Sequence, residues 1–72
     1  MRGLDAVIAE RKKTYLPGKR VKLVRMDDPQ APPVGTMGTV RGVDDIGSVL
    51  ISWETGSSLN AVMGEDVVEI VG

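Results

Sequence analysis

Val49-Leu50-Ile51-Ser52-Trp53-Glu54 carries an apolar side chain at each odd position, and Arg20-Val21-Lys22-Leu23 alternates polar and apolar in the same way. A period of two is the mark of strands with one face in a core and the other in water. Outward from these two stretches, turn chemistry marks the remaining strand ends: Asp27-Asp28-Pro29 through Pro33-Val34-Gly35, Asp44-Asp45-Ile46-Gly47, Thr55-Gly56 and Met63-Gly64-Glu65-Asp66. The strands so delimited run over 19–26, 36–43, 48–54, 57–62 and 67–71. Five short strands, tight turns and one long loop predict a closed or nearly closed barrel, a form that removes free sheet edges. The inward set is Val21, Leu23, Val40, Val49, Ile51, Trp53, Leu59, Val68 and Ile70, while Leu50, Val67 and Val71 point outward. Gly38 stands inside a strand, which predicts a bend or a close backbone approach.

Before Lys19 the period differs. Leu4, Val7, Ile8 and Arg11 follow the i, i+3, i+4, i+7 spacing of one helical face. Asp5 and Glu10 come early and Arg11-Lys12-Lys13 late, as the helix dipole favours, and Pro17-Gly18 ends the segment. The chain therefore divides into an N-terminal α-helix within residues 1–16 and a barrel domain over 17–72. So short an amphipathic helix is marginal alone in water and must dock. Leu4, Val7 and Ile8 are expected to cover the outer barrel wall near Leu50 or the last strand, in the same chain or in a second copy.

With 72 residues the chain has room for one domain, and with no Cys and no His it has neither disulfides nor the usual structural-zinc ligands. The same absences remove the commonest general bases and thiol nucleophiles, and no P-loop or dinucleotide fingerprint is present. The expectation is a non-enzymatic domain without cofactor or metal. The apolar run Ala6–Ala9 is too short for a secretory leader, and nothing approaches a membrane span, so a cytoplasmic location is the default expectation.

Net charge is −1, but its distribution is uneven. Residues 1–25 hold eight basic groups against two acids, net +6, while residues 26–72 hold Arg41 against eight acids, net −7. Mutual neutralisation on folding is the plain reading of this asymmetry. The other is a basic nucleic-acid surface made by Arg11, Lys12, Lys13, Lys19, Arg20 and Lys22. Tyr15 and Trp53 are the only aromatics, too few for a base-stacking platform or a methyl-lysine cage, and the alternation places Trp53 in the core.

From Arg20 onward the chain resembles an uncharacterised family of small domains found largely in phage and mobile-element contexts. The resemblance is carried by Arg20-Val21-Lys22-Leu23-Val24-Arg25-Met26-Asp27-Asp28-Pro29, Val34-Gly35-Thr36-Met37-Gly38-Thr39-Val40, Val43-Asp44-Asp45-Ile46-Gly47, Trp53-Glu54-Thr55-Gly56-Ser57-Ser58-Leu59 and Gly64-Glu65-Asp66. Asn60 and Met63 depart from the apolar residue and the proline usual at those places. The resemblance implies a five-stranded SH3-like barrel and brings no activity, because the family is itself a domain of unknown function.

The expected site follows from what the core leaves over. Recognition falls to loops held by strands, and only the 26–35 loop is long enough to make a wall. Met26 supplies an adaptable apolar contact, Asp27 and Asp28 supply acceptors, and the three prolines limit the entropy lost on binding. In an SH3-like barrel Asp44, Asp45 and Glu54 would face this loop and make an acidic cleft. The expected function is a protein-interaction module binding a basic or polar segment there through Met26, Asp27, Asp28, Asp44, Asp45 and Glu54. The alternative from another class is a nucleic-acid-associated barrel of the KOW type using the six cations named above. Self-association through the N-terminal helix is a further option; a membrane partner is not expected. Two competing roles are structural: the aspartates as turn caps, and Pro29-Gln30-Ala31-Pro32 as a stiffener of its loop rather than a polyproline ligand.

Overall fold

The computed structural model describes residues 2–72, with the side chains of Arg2 and Leu4 outside the description. The protein is mainly β with one N-terminal helix. Helix α1 spans Arg2–Thr14, followed by β1 (Arg20–Arg25), β2 (Met37–Val43), β3 (Val49–Trp53) and β4 (Val67–Ile70). The strands form one antiparallel sheet in the order β3-β2-β1-β4. Register shifts between Leu23 and Arg25 in β1, and between Val40 and Gly42 in β2, bend the sheet around its core.

Val21, Leu23, Val40, Val49, Ile51, Trp53 and Ala61 form that core, with Tyr15, Met26, Val43, Val68 and Ile70 packed half-buried against it. The alternation of β1 and β3 thus points as read from the sequence. Gly38 is explained by contact: a Cβ there would lie 2.6 Å from Ile51 Cγ2 and 2.8 Å from Trp53 Cε3. The bare backbone lets the Trp53 ring lie flat on β2, and the indole Nε1 donates to the Leu59 carbonyl at 2.9 Å.

The closed five-stranded barrel is not what forms; four strands make an open sheet. The expected strand over 57–62 is reduced to an isolated bridge, Val49 with Ala61, plus one bond from the Trp53 amide to the Ser57 carbonyl. Its composition explains why. The Ser57 hydroxyl accepts from the Leu59 amide, and the Leu59 carbonyl is taken by the Trp53 indole, so side chains capture groups a ladder would need. Ala61 rather than Leu59 then enters the core, and Leu59 stays half-buried outside it.

The helix docks in the same chain, but not where the apolar stripe suggested. Among the strands α1 approaches β2, and not β4. Ile8 packs on the turn after β2, whose Gly47 is held at φ 87° with Met63 Sδ 2.8 Å and Ile8 Cγ1 3.3 Å from where a Cβ would stand. Arg11 Nε donates to the Gly47 carbonyl at 2.7 Å, and its guanidinium lies 5.3 Å from the centre of the Tyr15 ring. Polar contacts at the helix's second half fix the dock, so Val7 is left 48% exposed and α1 does not reach Leu50 on β3 or Val67 on β4. The expectation for Leu4 lies outside the described residues. Among the described residues no helix is long and apolar enough to cross a membrane.

Candidate functional site

Among the described residues, a groove of about 400 Å³ is lined by Met26, Asp27 and Asp28 on one side and by Leu59, Asn60, Val62, Glu65 and Asp66 on the other. Part of its wall is the segment 57–62, where the expected fourth strand does not form. One wall is the loop leaving β1 and the other is the chain entering β4, two strands that pair directly, with Arg25 opposite Val67. Three of its side chains are apolar (Met26, Leu59 and Val62) and four are carboxylates, and no cation lines it.

Both walls are held locally. Asp28 Oδ1 accepts from the Gln30 amide at 2.7 Å, and the Ala31 amide returns to the Asp28 carbonyl at 2.9 Å. Asp66 Oδ2 accepts from the Val62 amide at 2.8 Å, closing the turn over Val62–Asp66. Each of these carboxylates uses one oxygen on the backbone. Asp27 and Glu65 are exposed, and their carboxylates have no hydrogen bond or ion pair among the described residues. Pro32 is buried while Pro29 is exposed, so the PxxP segment is built into its own loop and does not present both prolines to a partner.

The other three residues of the expected acidic cleft are placed elsewhere. The 26–35 loop precedes β2 and the Asp44 turn follows it, which puts them at opposite ends of a seven-residue strand, roughly 20 Å apart. Asp44 Oδ1 accepts from the amides of Ile46 at 3.1 Å and Ser48 at 2.9 Å, so it caps its turn. Asp45 is fully exposed and meets Lys12 Nζ at 3.6 Å. Glu54 pairs with Arg20, which also donates to Thr39 Oγ1 at 2.8 Å. Met26, Asp27 and Asp28 are brought together; Asp44, Asp45 and Glu54 do not join them.

Sequence reading missed Leu59, Asn60, Val62, Glu65 and Asp66. The available signal was Asn60, a polar residue where the resembled family usually has an apolar one, together with the acid pair Glu65-Asp66. Of the six cations in the nucleic-acid alternative, Arg11 is held on Gly47, Lys12 on Asp45 and Arg20 on Glu54. Lys22 stands opposite Glu69 in the β1–β4 register, and Lys13 and Lys19 are exposed. A smaller hollow of about 280 Å³ lies between helix and turn, lined by Asp5, Ile8, Ala9, Lys12 and Asp45. Among the described residues no group of three or more carboxylates is arranged to hold a metal ion.

No curated protein and no solved structure matches the chain significantly. A family match does exist, and it spans residues 5–71, taking in the helix as well as the sheet. The chain thus belongs to the family described as Domain of unknown function (DUF4314).

Proposed function

We propose that this chain is a non-enzymatic protein-interaction module on a small SH3-like scaffold, and that its binding face is the groove between residues 26–28 and 59–66. One observation carries the reading: four carboxylates and three apolar side chains line one groove that no cation among the described residues lines. Like charges gathered without a counter-ion raise the electrostatic free energy of the free protein, and a basic partner relieves it. The SH3-like scaffold is supported by the order β4-β1-β2-β3 with residues 57–61 bridged to the far side of β3, a curled meander with its last strand returned beside its first.

The fitting partner is an extended segment with Arg or Lys flanking an apolar residue. Its cations meet Asp27, Asp28, Glu65 and Asp66, and its apolar side chain rests on Met26, Leu59 and Val62. Met26 suits this role because its unbranched thioether adapts to different shapes. The test is fluorescence anisotropy with a labelled Arg-Leu-Arg-Arg peptide and with an oligothymidine of similar charge count. Binding of the peptide, lost in Asp27→Asn/Glu65→Gln and weakened by salt, is the expected result. Binding of the oligonucleotide alone, lost on replacing Lys13 and Lys19, would replace this reading with the nucleic-acid one.

A further inference from the structure

The two edges of the open sheet are finished differently. The outer edge of β3 is covered by residues 57–61, which take bonds from both ends of the strand: the Val49 and Ala61 amides exchange at 2.9 Å, and the Trp53 amide reaches Ser57. The outer edge of β4 has no such cover among the described residues. Its ladder to β1 alternates, and the bond from the Val71 amide to the Arg20 carbonyl at 3.0 Å fixes the phase. Val71 and Glu69 turn their backbone groups toward β1, so Val68 and Ile70 turn theirs outward. Neither has a hydrogen bond on that side.

Natural sheets blunt a free edge with lysine, proline, a bulge or a covering loop. Val67-Val68-Glu69-Ile70-Val71 has no lysine or proline, and Val67 and Val71 are 47% and 37% exposed. We propose that this edge is a pairing site for a second copy of the chain, the two β4 strands running antiparallel about a two-fold axis at Ile70. This goes beyond the groove reading and does not depend on it, because the groove lies past the Val67 end of β4.

Charge and register select the copy and the axis together. Centred on Glu69, the pairing sets two carboxylates face to face. Centred on Ile70, it puts each Glu69 opposite the partner copy's Val71, and the outward amide and carbonyl of each Ile70 meet their counterparts. The only charge on the strand is then matched by an apolar residue, and each Ile70 side chain extends the core face toward its mate. A closed pair of this kind is isologous and stops at two.

Sedimentation velocity of the full chain, from about 20 µM to about 1 mM, reads this directly. The wild type is expected to pass from monomer to dimer over that range. Ile70→Pro removes the outward amide while sparing the ladder to β1, and it should lower dimer affinity at least tenfold. Ile70→Ala keeps the amide and should dimerise more nearly as the wild type does. Because proline could also disturb folding, a charge pair at the exposed Val71 gives a second test. Val71→Glu faces the partner's Glu69 and should abolish the dimer, whereas Val71→Lys should preserve or tighten it. A wild type monomeric throughout, or a dimer indifferent to both Ile70→Pro and Val71→Glu, overturns the proposal.

Discussion

The Asp27-Asp28 loop and the Asp44-Asp45 turn begin as the same chemistry, two adjacent aspartates at the end of a strand, and finish with opposite roles. At Asp44 the carboxylate is consumed by the fold, one oxygen serving two amides of a five-residue connection, and Asp45 faces a lysine of the docked helix. At Asp27 and Asp28 the loop is longer, one amide is capped, and the remaining acceptors face a groove whose far wall adds Glu65 and Asp66. The difference teaches that a loop carboxylate is left over by the fold only where the connection is too long to use it up and no cation among the described residues reaches it.

Four sets of variants probe that contrast, the largest effect first. Asp44→Ala strips the acceptor from the Ile46 and Ser48 amides and should cost about 1–3 kcal/mol in chemical denaturation, while Asp44→Asn, which keeps an oxygen, should cost markedly less. Binding at the groove should be unchanged in the folded fraction of both. Arg11→Ala removes the helix's bond to Gly47 and its contact with Tyr15. It should cost about 1 kcal/mol and reduce helical circular dichroism before the sheet melts, because a 13-residue helix has little stability of its own. Arg11→Lys should not restore it, since one ammonium cannot both reach the carbonyl and cover the ring.

At the other acidic region the pattern inverts. Asp27→Asn with Glu65→Gln should leave the melting temperature unchanged or slightly raised, by easing repulsion, while abolishing peptide affinity. A matching loss of stability would place these carboxylates with Asp44 and erase the contrast. Smallest of all, Asp45→Asn should leave thermal stability unaltered within error, as expected for an exposed ion pair, and in the wild type the attraction between Asp45 and Lys12 should be screened at high salt.

The sheet was legible because its signal is local. Alternation in Arg20–Leu23 and Val49–Trp53 fixed strand and face together, and Gly38 announced the close approach that Trp53 makes. The failed strand over 57–62 shows the limit of such reading. Ser57 and Asn60 have acceptable strand phase, but which backbone groups they or Trp53 capture depends on a ring brought in from β3. One wall of the groove was legible for the same reason: Met26, Asp27 and Asp28 belong to one loop whose length and prolines are visible in the sequence. Its opposite wall is set by which strand neighbours β1. An assumed barrel closure named Asp44, Asp45 and Glu54, whereas the actual β1–β4 pairing brings Glu65 and Asp66. Helix docking failed similarly, because three apolar positions were weighed and the Arg11 bond to a distant carbonyl was not.

The claim that the groove, and not the Asp44 end, receives the partner is tested most directly by residue-resolved amide shifts. The labelled full chain would be titrated with the Arg-Leu-Arg-Arg peptide and followed by two-dimensional nitrogen–proton NMR. The account predicts progressive shifts confined to Met26–Asp28 and Leu59–Asp66, with Asp44–Ser48 and Arg11–Tyr15 stationary. Shifts centred on Asp44, Asp45 and Glu54, or none at Leu59–Asp66 at saturating peptide, would contradict it.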